Sequence, residues 1–264
     1  MCWYTQTLRH VSFRYIPTMK SPAISALSIT GKRSTNEDRY LIETVGDLLI
    51  ICVFDGHGGV EAAELTKRIF VEQFNKYRQS QKIPEALKQT FAHINGLIAR
   101  QRIEGGTTAT VAVINNDLLT ISNVGDSKAV LYRNNQIFFK TTQHVLTNSV
   151  ELSRYRSSDW FNTKSRLVSQ GKLKAFKLSA ISRSLGDNFF EDALSPIPDV
   201  VKIKLSPGDV CVIASDGLWN FMTDEAVGEL VSRNSEPETF SEELVNLAIQ
   251  SGSTDNITVI ATAY

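Results

Sequence analysis

Cysteine is scarce in this chain, with three residues among 264, and an odd number does not make a closed disulfide framework. Cys52 and Cys211 stand inside apolar runs, and no pair has the spacing of a metal knuckle. The thiols read as small core hydrophobes in a reduced interior, which disfavours thiolate chemistry, since that needs an accessible, electropositive setting. Net charge is missing as well: 28 basic residues balance 28 acidic ones. That excludes a global pull toward nucleic acid or anionic membrane, and any anion must be bound locally. No apolar run approaches the ~20 residues that cross a bilayer, so a soluble protein with no membrane insertion is expected. Acids are absent from residues 1–36, which carry Arg9, Arg14, Lys20, Lys32 and Arg33. This bias admits a mitochondrial address beside a cytoplasmic or nuclear one.

What is present is enough apolar residue, 42%, to bury one large core. We read an N-terminal extension over residues 1–22 and one domain over 23–264. From Ala23 onward, short β-rich runs alternate with turn signals: "AISALSIT", "LLIICVF", "TATVAVIN", "LLTISNV", "AVLYRNNQIFFKT", "VVKIKL", "DVCVIAS" and "ITVIATAY". Asn134-Asn135 splits the fifth into a hairpin. A helical pattern after Gly59 groups Leu65, Ile69, Phe70, Phe74 and Tyr77, and a second from Pro84 groups Leu87, Phe91, Ile94 and Ile98. Thr223 can cap a third helix carrying Val227, Leu230 and Val231, and a fourth near Ser241 stops at Gly252. Strand blocks and helix pairs are segregated, which argues for an α+β fold. Residues 143–178 are polar, basic and without strong periodicity, and are expected to form an irregular flap.

Four aspartates share one placement. Asp55 follows "LLIICVF", Asp126 follows "LLTISNVG", Asp216 follows "DVCVIAS", and Asp255 lies just before "ITVIATAY". Turns favour Asp, so each alone is ordinary. Together they would repel one another prohibitively at a partly dehydrated sheet edge unless a cation compensated. Carboxylate oxygens, with little cysteine or histidine nearby, suit Mg²⁺ or Mn²⁺ better than zinc. Two such ions ~3.5–4 Å apart, sharing Asp55 and a bridging hydroxide, would serve in-line displacement at phosphorus. In "VFDGHGG", Gly56 lets a backbone carbonyl approach a metal, and Gly58 and Gly59 let the chain leave without blocking a bulky substrate. His57, held beside the acids, is placed to act as a general acid. In "GKRSTNEDRY", Arg33 offers a fork suited to phosphate, and Glu37 and Asp38 can orient metal-bound waters.

The ordered set "RSTNEDRY", "VFDGHGG", "GTTAT", "SNVGDSKAVL", "AISRSLGD", "ASDGLWN" and "STDNITVI" resembles the metal-dependent type 2C (PPM) protein serine/threonine phosphatases from about Ile29 to Tyr264. The resemblance implies an antiparallel β-sandwich flanked by helix pairs, with two Mn²⁺ or Mg²⁺ ions at one end, a phosphoprotein substrate and no nucleic-acid partner. A monomer is expected. By that resemblance Asp55 is the bridging ligand, Gly56 the carbonyl ligand, and Asp216 and Asp255 ligands of one ion. Glu37 and Asp38 hold metal waters, Arg33 clamps phosphate, His57 is the general acid, and Asp126 binds a weaker third ion. The chain departs from the family pattern at Asn220, where Asp is usual, and at Gln143-His144, where Asp-His is usual. Of the flap it keeps only fragments around Glu151, Arg154 and Gly171.

Two other readings compete. A catalytically inert, phosphatase-fold binding or regulatory module should have lost its ligating acids, whereas Asp55, Asp216 and Asp255 are all present. A phosphate loop at "ITGKRST" fails on spacing, because Ala26 occupies the position where that loop needs glycine.

Overall fold

Ile50, Cys52 and Phe54 point to one side of their strand and Ile51 and Val53 to the other, and all five are buried. A strand covered on both faces explains why this stretch is continuously apolar rather than alternating. The computed structural model describes residues 22–170, 173, 179–233 and 236–264. Apart from Pro22, the expected N-terminal extension lies outside the described residues, as does Gly171 of the flap.

In chain order the elements are β1 (Ala23–Ile29), β2 (Arg39–Val45), β3 (Leu48–Phe54), β4 (Gly56–His57), α1 (Glu61–Arg78), α2 (Ile83–Arg100), β5 (Gly106–Thr107), β6 (Ala109–Asn115), β7 (Leu118–Val124), β8 (Lys128–Arg133) and β9 (Gln136–Lys140). There follow α3 (Ser149–Ser157), α4 (Asp159–Ser169), β10 (Leu185–Gly186), β11 (Asp199–Lys204), β12 (Val210–Ala214), α5 (Asp216–Trp219), α6 (Asp224–Arg233), α7 (Phe240–Gln250) and β13 (Ile257–Ala263). Two antiparallel five-stranded sheets, β1-β13-β12-β8-β9 and β11-β7-β6-β3-β2, pack face to face. Ile51, Val53, Ala112 and Ile121 of one sheet meet Leu131, Cys211, Ile213 and Ile260 of the other. The outer face of the second sheet is covered by α1 and α2, and that of the first by α6 and α7. The result is the helix–sheet–sheet–helix sandwich that the sequence led us to expect.

Phe70 carries much of the α1–α2 contact, with ring centroids 5.8 Å from Phe54 and 6.2 Å from both Phe74 and Phe91. Truncating Phe91 to alanine in this fully buried cluster would cost about 3–5 kcal/mol. Three expected devices are present. Asn134 and Asn135 both have positive φ, 51° and 61°, as a two-residue hairpin turn requires. Thr223 accepts a hydrogen bond from the Ala226 amide at 3.2 Å, and Gly252 has φ +98° just after α7.

Residues 143–178 differ from expectation. Instead of an irregular flap, the described part holds α3, capped by the Asn148 side chain, and α4, capped by Ser158. Tyr155 and Trp160 bury themselves against Ile181, Ala193 and Leu194 rather than the main core. The edge strand β2 is an addition to the strands read from the sequence.

Strand register gathers the acids. Val53 pairs with Thr110, Ala109 with Val124, and Ala214 with both Lys128 and Val259. The ends of β3, β7 and β12 and the start of β13 therefore lie at one end of the sandwich, which brings Asp55, Asp126, Asp216 and Asp255 into a common cavity.

Candidate active site

That cavity has a volume of about 660 Å³, and its walls include Arg33, Glu37, Asp55, Gly56, His57, Asp126, Asp216 and Asp255. Of the residues expected from the sequence to hold metal, clamp phosphate or donate a proton, Asp38 alone is absent from the lining: it is buried behind it, accepting from Ser215 Oγ at 2.8 Å. The loop carrying Arg33 and Glu37 is docked by close backbone approach. Gly31 has φ +62°, and a side chain there would meet the Asp255 carbonyl oxygen at 1.9 Å. Asn256 ties the loop down, accepting from the Glu37 amide at 2.8 Å and donating to the carbonyls of Thr30 (2.8 Å) and Thr35 (2.9 Å).

Gly56 answers to a similar constraint, since a Cβ there would lie 2.6 Å from the Glu37 carbonyl oxygen. Gly58 and Gly59, at φ +73° and +127°, carry the chain away into α1. Asp55 is anchored through its backbone: its amide donates to Thr108 Oγ1 at 3.1 Å, and its carbonyl accepts from the Thr108 amide at 2.9 Å.

The carboxylates disturb one another. Burial pushes the Asp55 carboxyl well up, and the charges of Asp38, Asp216 and Asp126 push further. Asp38 rises to about 6, first through burial, opposed by its Thr258 and Ser215 hydrogen bonds and reinforced by Asp216 and Asp255. Asp126 also rises to about 6, through burial and then the charge of Asp216. Asp216 is raised by burial and by Asp255, while Asn220 and Arg33 work against the rise. Among the described residues no three acid, histidine or cysteine side chains form a ready-made ion cage. Arg33 Nη2 is instead turned onto Asp255 Oδ2 at 2.8 Å, and Asn220 Nδ2 onto Asp216 Oδ2 at 3.0 Å. The donor set nonetheless fits hard divalent cations: it is all oxygen, and its acids are held in a crowding that positive charge relieves.

Sequence reasoning missed Asp187. His57 Nε2 lies 2.7 Å from Asp187 Oδ2. Burial works to lower the His57 pKa, but the hydrogen bond and charge of Asp187 outweigh it and leave the imidazole raised. The signal was the acid that ends "AISRSLGD", behind a glycine with φ +101°. The departure at Gln143-His144 supports the Asp126 turn from below. Gln143 Nε2 donates to the Asp126 carbonyl at 2.7 Å, and buried His144 accepts from the Gly125 amide at 3.2 Å.

Fold and site together define a hydrolase of the metal-dependent phosphatase class. Residues 30–257 match the family model for protein phosphatase 2C, and the chain belongs to that family. Its relatives include a probable protein phosphatase 2C 69 from Arabidopsis thaliana, 29% identical over 90% of this chain and 68% of that protein. A mitochondrial protein phosphatase 1K from Xenopus laevis is 28% identical over 95% of this chain and 70% of that protein. Among solved structures, the serine/threonine phosphatase of S. agalactiae superposes with a TM-score of 0.69 at 22% identity, covering 92% of this chain and 99% of that one. The chain is a protein serine/threonine phosphatase, of a family that depends on Mn²⁺ or Mg²⁺. Among the described residues no helix is long and apolar enough to cross a membrane.

Proposed function

We propose that the acidic mouth of the sandwich hydrolyses phosphoserine and phosphothreonine in protein substrates by direct attack of water, with no phosphorylated enzyme. The observation that carries this reading is the convergence of Asp55, Asp126, Asp216 and Asp255 with Arg33 and His57 on one cavity. Asp55, the Gly56 carbonyl, Asp216 and Asp255 would hold two Mn²⁺ or Mg²⁺ ions, and Asp126 a weaker third. Bound there, such ions lower the pKa of water and neutralise charge on the phosphate. Glu37 and Asp38 orient water from behind, Asp38 through a carboxylate fixed by Ser215.

Arg33 is the exposed arm of the site. Its side chain is 62% exposed and paired with Asp255, so it can exchange that partner for two phosphate oxygens. His57 hands its proton to the departing serine or threonine oxygen. With Nε2 engaged by Asp187, Nδ1 is the nitrogen that does so. The bond from phosphorus to the ester oxygen breaks as the bond to water oxygen forms, yielding inorganic phosphate and a free hydroxyl.

The catalytic unit is residues 23–264, acting as a monomer. The inert-module reading is disfavoured because all of the ligating acids are kept. Phosphate release from a phosphothreonine peptide decides the matter: turnover with Mn²⁺ that stops on adding EDTA is expected. Full turnover in EDTA, or none with either metal, would overturn it.

A further inference from the structure

Ser127 and Lys128 follow Asp126 directly in "SNVGDSKAVL", and neither enters the proposed chemistry. Both are buried. Asp126 lines the cavity, whereas the side chains of the next two residues reach the segments that carry Asp55 and Asp216. One short turn therefore touches three of the four converging acids.

The Ser127 contact runs through Thr108. Ser127 Oγ lies 2.7 Å from Thr108 Oγ1, and that same hydroxyl accepts from the Asp55 amide at 3.1 Å. Each hydroxyl satisfies the other away from water. The Thr108 methyl group closes the contact from a second side, because a side chain at Gly125, where φ is +99°, would meet Thr108 Cγ2 at 2.6 Å. Strand pairing does not do this work: β6 lies between β3 and β7, so no ladder joins the strand leading to Asp55 directly to the one leading to Asp126.

The Lys128 contact runs through Trp219. Lys128 Nζ is held by Asp224, which also accepts from Lys140 Nζ at 2.8 Å, and it sits 4.2 Å from the centroid of the Trp219 ring. The indole N–H donates in return to the carbonyls of Lys128 (3.0 Å) and Ala214 (3.1 Å). Trp219 ends α5 and Asp216 begins it. The helix is about one turn long, so fixing its last residue fixes its first.

We infer that Ser127 and Lys128 are positioning residues that make the Asp126 turn the common reference for Asp55 and Asp216, the first through a hydroxyl pair and the second through a cation–indole contact. Acids that repel one another stay at a spacing fit for cations only where the fold holds them there. The assignment rests on the reading of Asp55 and Asp216 as ion ligands.

The test is calorimetric titration of the full, metal-free chain with Mn²⁺ alone. Ser127→Ala and Lys128→Met should each weaken binding by about tenfold. In a Thr108→Val background Ser127→Ala should cost nothing further, since both break one hydroxyl pair, whereas Ser127→Ala and Lys128→Met should multiply to about 100-fold. Two milder variants cover a failure to fold. Thr108→Ser keeps the hydroxyl and should bind within about threefold of the parent, and Trp219→Phe keeps the ring but loses the indole N–H and should weaken binding by about threefold or more. Circular dichroism at the titration temperature reports that each variant is folded. A purely structural role would lower melting temperatures and leave the Mn²⁺ affinity of the folded variants equal to that of the parent, which would overturn the assignment. Losses from Ser127→Ala and Thr108→Val that multiply would also overturn it. Phosphate release is scored separately. Variant-sensitive Mn²⁺ binding in a parent without turnover sinks the phosphatase reading and leaves the positioning role standing, and turnover with variant-indifferent binding does the reverse.

Discussion

The His57 imidazole and the Asp187 carboxylate are joined at 2.7 Å across 130 residues of sequence. Asp187 also accepts from Ser184 Oγ at 2.5 Å, and its side chain is only 9% exposed. The acid is therefore held by the fold, and it in turn holds the histidine in one orientation at the mouth of the cavity. Asp187 touches no reacting atom in this scheme, which makes it a positioning residue.

Substrate dependence separates the two roles. His57→Gln should slow a phosphoserine peptide, whose leaving oxygen needs a proton, by about 100-fold. An activated aryl phosphate departs without one and should slow by less than about tenfold. Asp187→Asn keeps the shape but loses the charge, so it should show the same contrast in weaker form. Equal losses on both substrates in steady-state assays would assign His57 to structure instead.

Chelation should abolish turnover and restored Mn²⁺ should return it, whereas thiol alkylation of the folded protein should change nothing. Cys52 and Cys211 are both buried. Burial pushes the Cys52 thiol far up and the Cys211 thiol up to about 12, so neither offers a thiolate. Rapid loss of activity with iodoacetamide, before any loss of circular dichroism, would contradict this.

Asp216→Ala should cost more than about 100-fold in turnover, since it removes a proposed ligand rather than a residue behind one. Its apo melting temperature should equal or exceed that of the parent, because one of the mutually repelling acids is gone. Metal should then raise the melting temperature of the parent more than that of the variant. An equal rise in calorimetry would mean that Asp216 holds no ion.

The acids were legible in the sequence because each sits at the end of an apolar run whose period and length fix the strand. Their convergence on one edge then follows from the strand order, with β6 paired between β3 and β7 and β12 beside β13. The place of Asp187 beside His57 was not legible, although the acid ends a quoted motif, because β10 has only two residues and Leu185–Gly186 pairs with Thr107–Gly106 far away in sequence. Edge strand β2 was missed because its residues are half-buried or exposed, with Arg39 and Glu43 interrupting the apolar pattern. The flap helices hid for a different reason. Their apolar partners come from residues 181–194 rather than from either sheet, so no long stripe marks them. The caps Asn148 and Ser158 were the available signal.

The flap predicts an acid-sensitive step. Glu151 is buried and accepts from Arg183 at 2.5–3.2 Å and from Ser182 Oγ at 2.6 Å. Burial works to raise its carboxyl, and Arg183 with Ser182 outweighs burial and holds it at about 2, below the ordinary 4.5. A depressed folded-state pKa means stability that is full above pH 4.5 and lost as pH falls toward 2, on the order of 3 kcal/mol. Glu151→Gln should therefore melt lower than the parent at pH 7, with the gap closing between pH 4.5 and 2. A gap independent of pH in thermal melts would mean that packing, not the ion pair, carries the contribution.

The last prediction concerns Asn220, where the family pattern usually has an acid. It caps α5, and its amide donates to Asp216 Oδ2 at 3.0 Å, so it neutralises part of the crowding around a proposed ligand. Asn220→Asp replaces that donor with a like charge. In the metal-free protein the substitution should lower the melting temperature, because Asp216 loses a hydrogen bond and gains a repelling neighbour. With metal the sign reverses: a further carboxylate adds charge to the donor set, so activation should reach half-maximum at lower Mn²⁺. Asp126→Ala should shift the curve the other way if the weaker third ion contributes to turnover. Titrating Mn²⁺ against phosphate release in all three proteins reads both effects. Superimposed curves would mean that neither Asn220 nor Asp126 influences the ions, and that Asp55, Asp216 and Asp255 carry the chemistry alone.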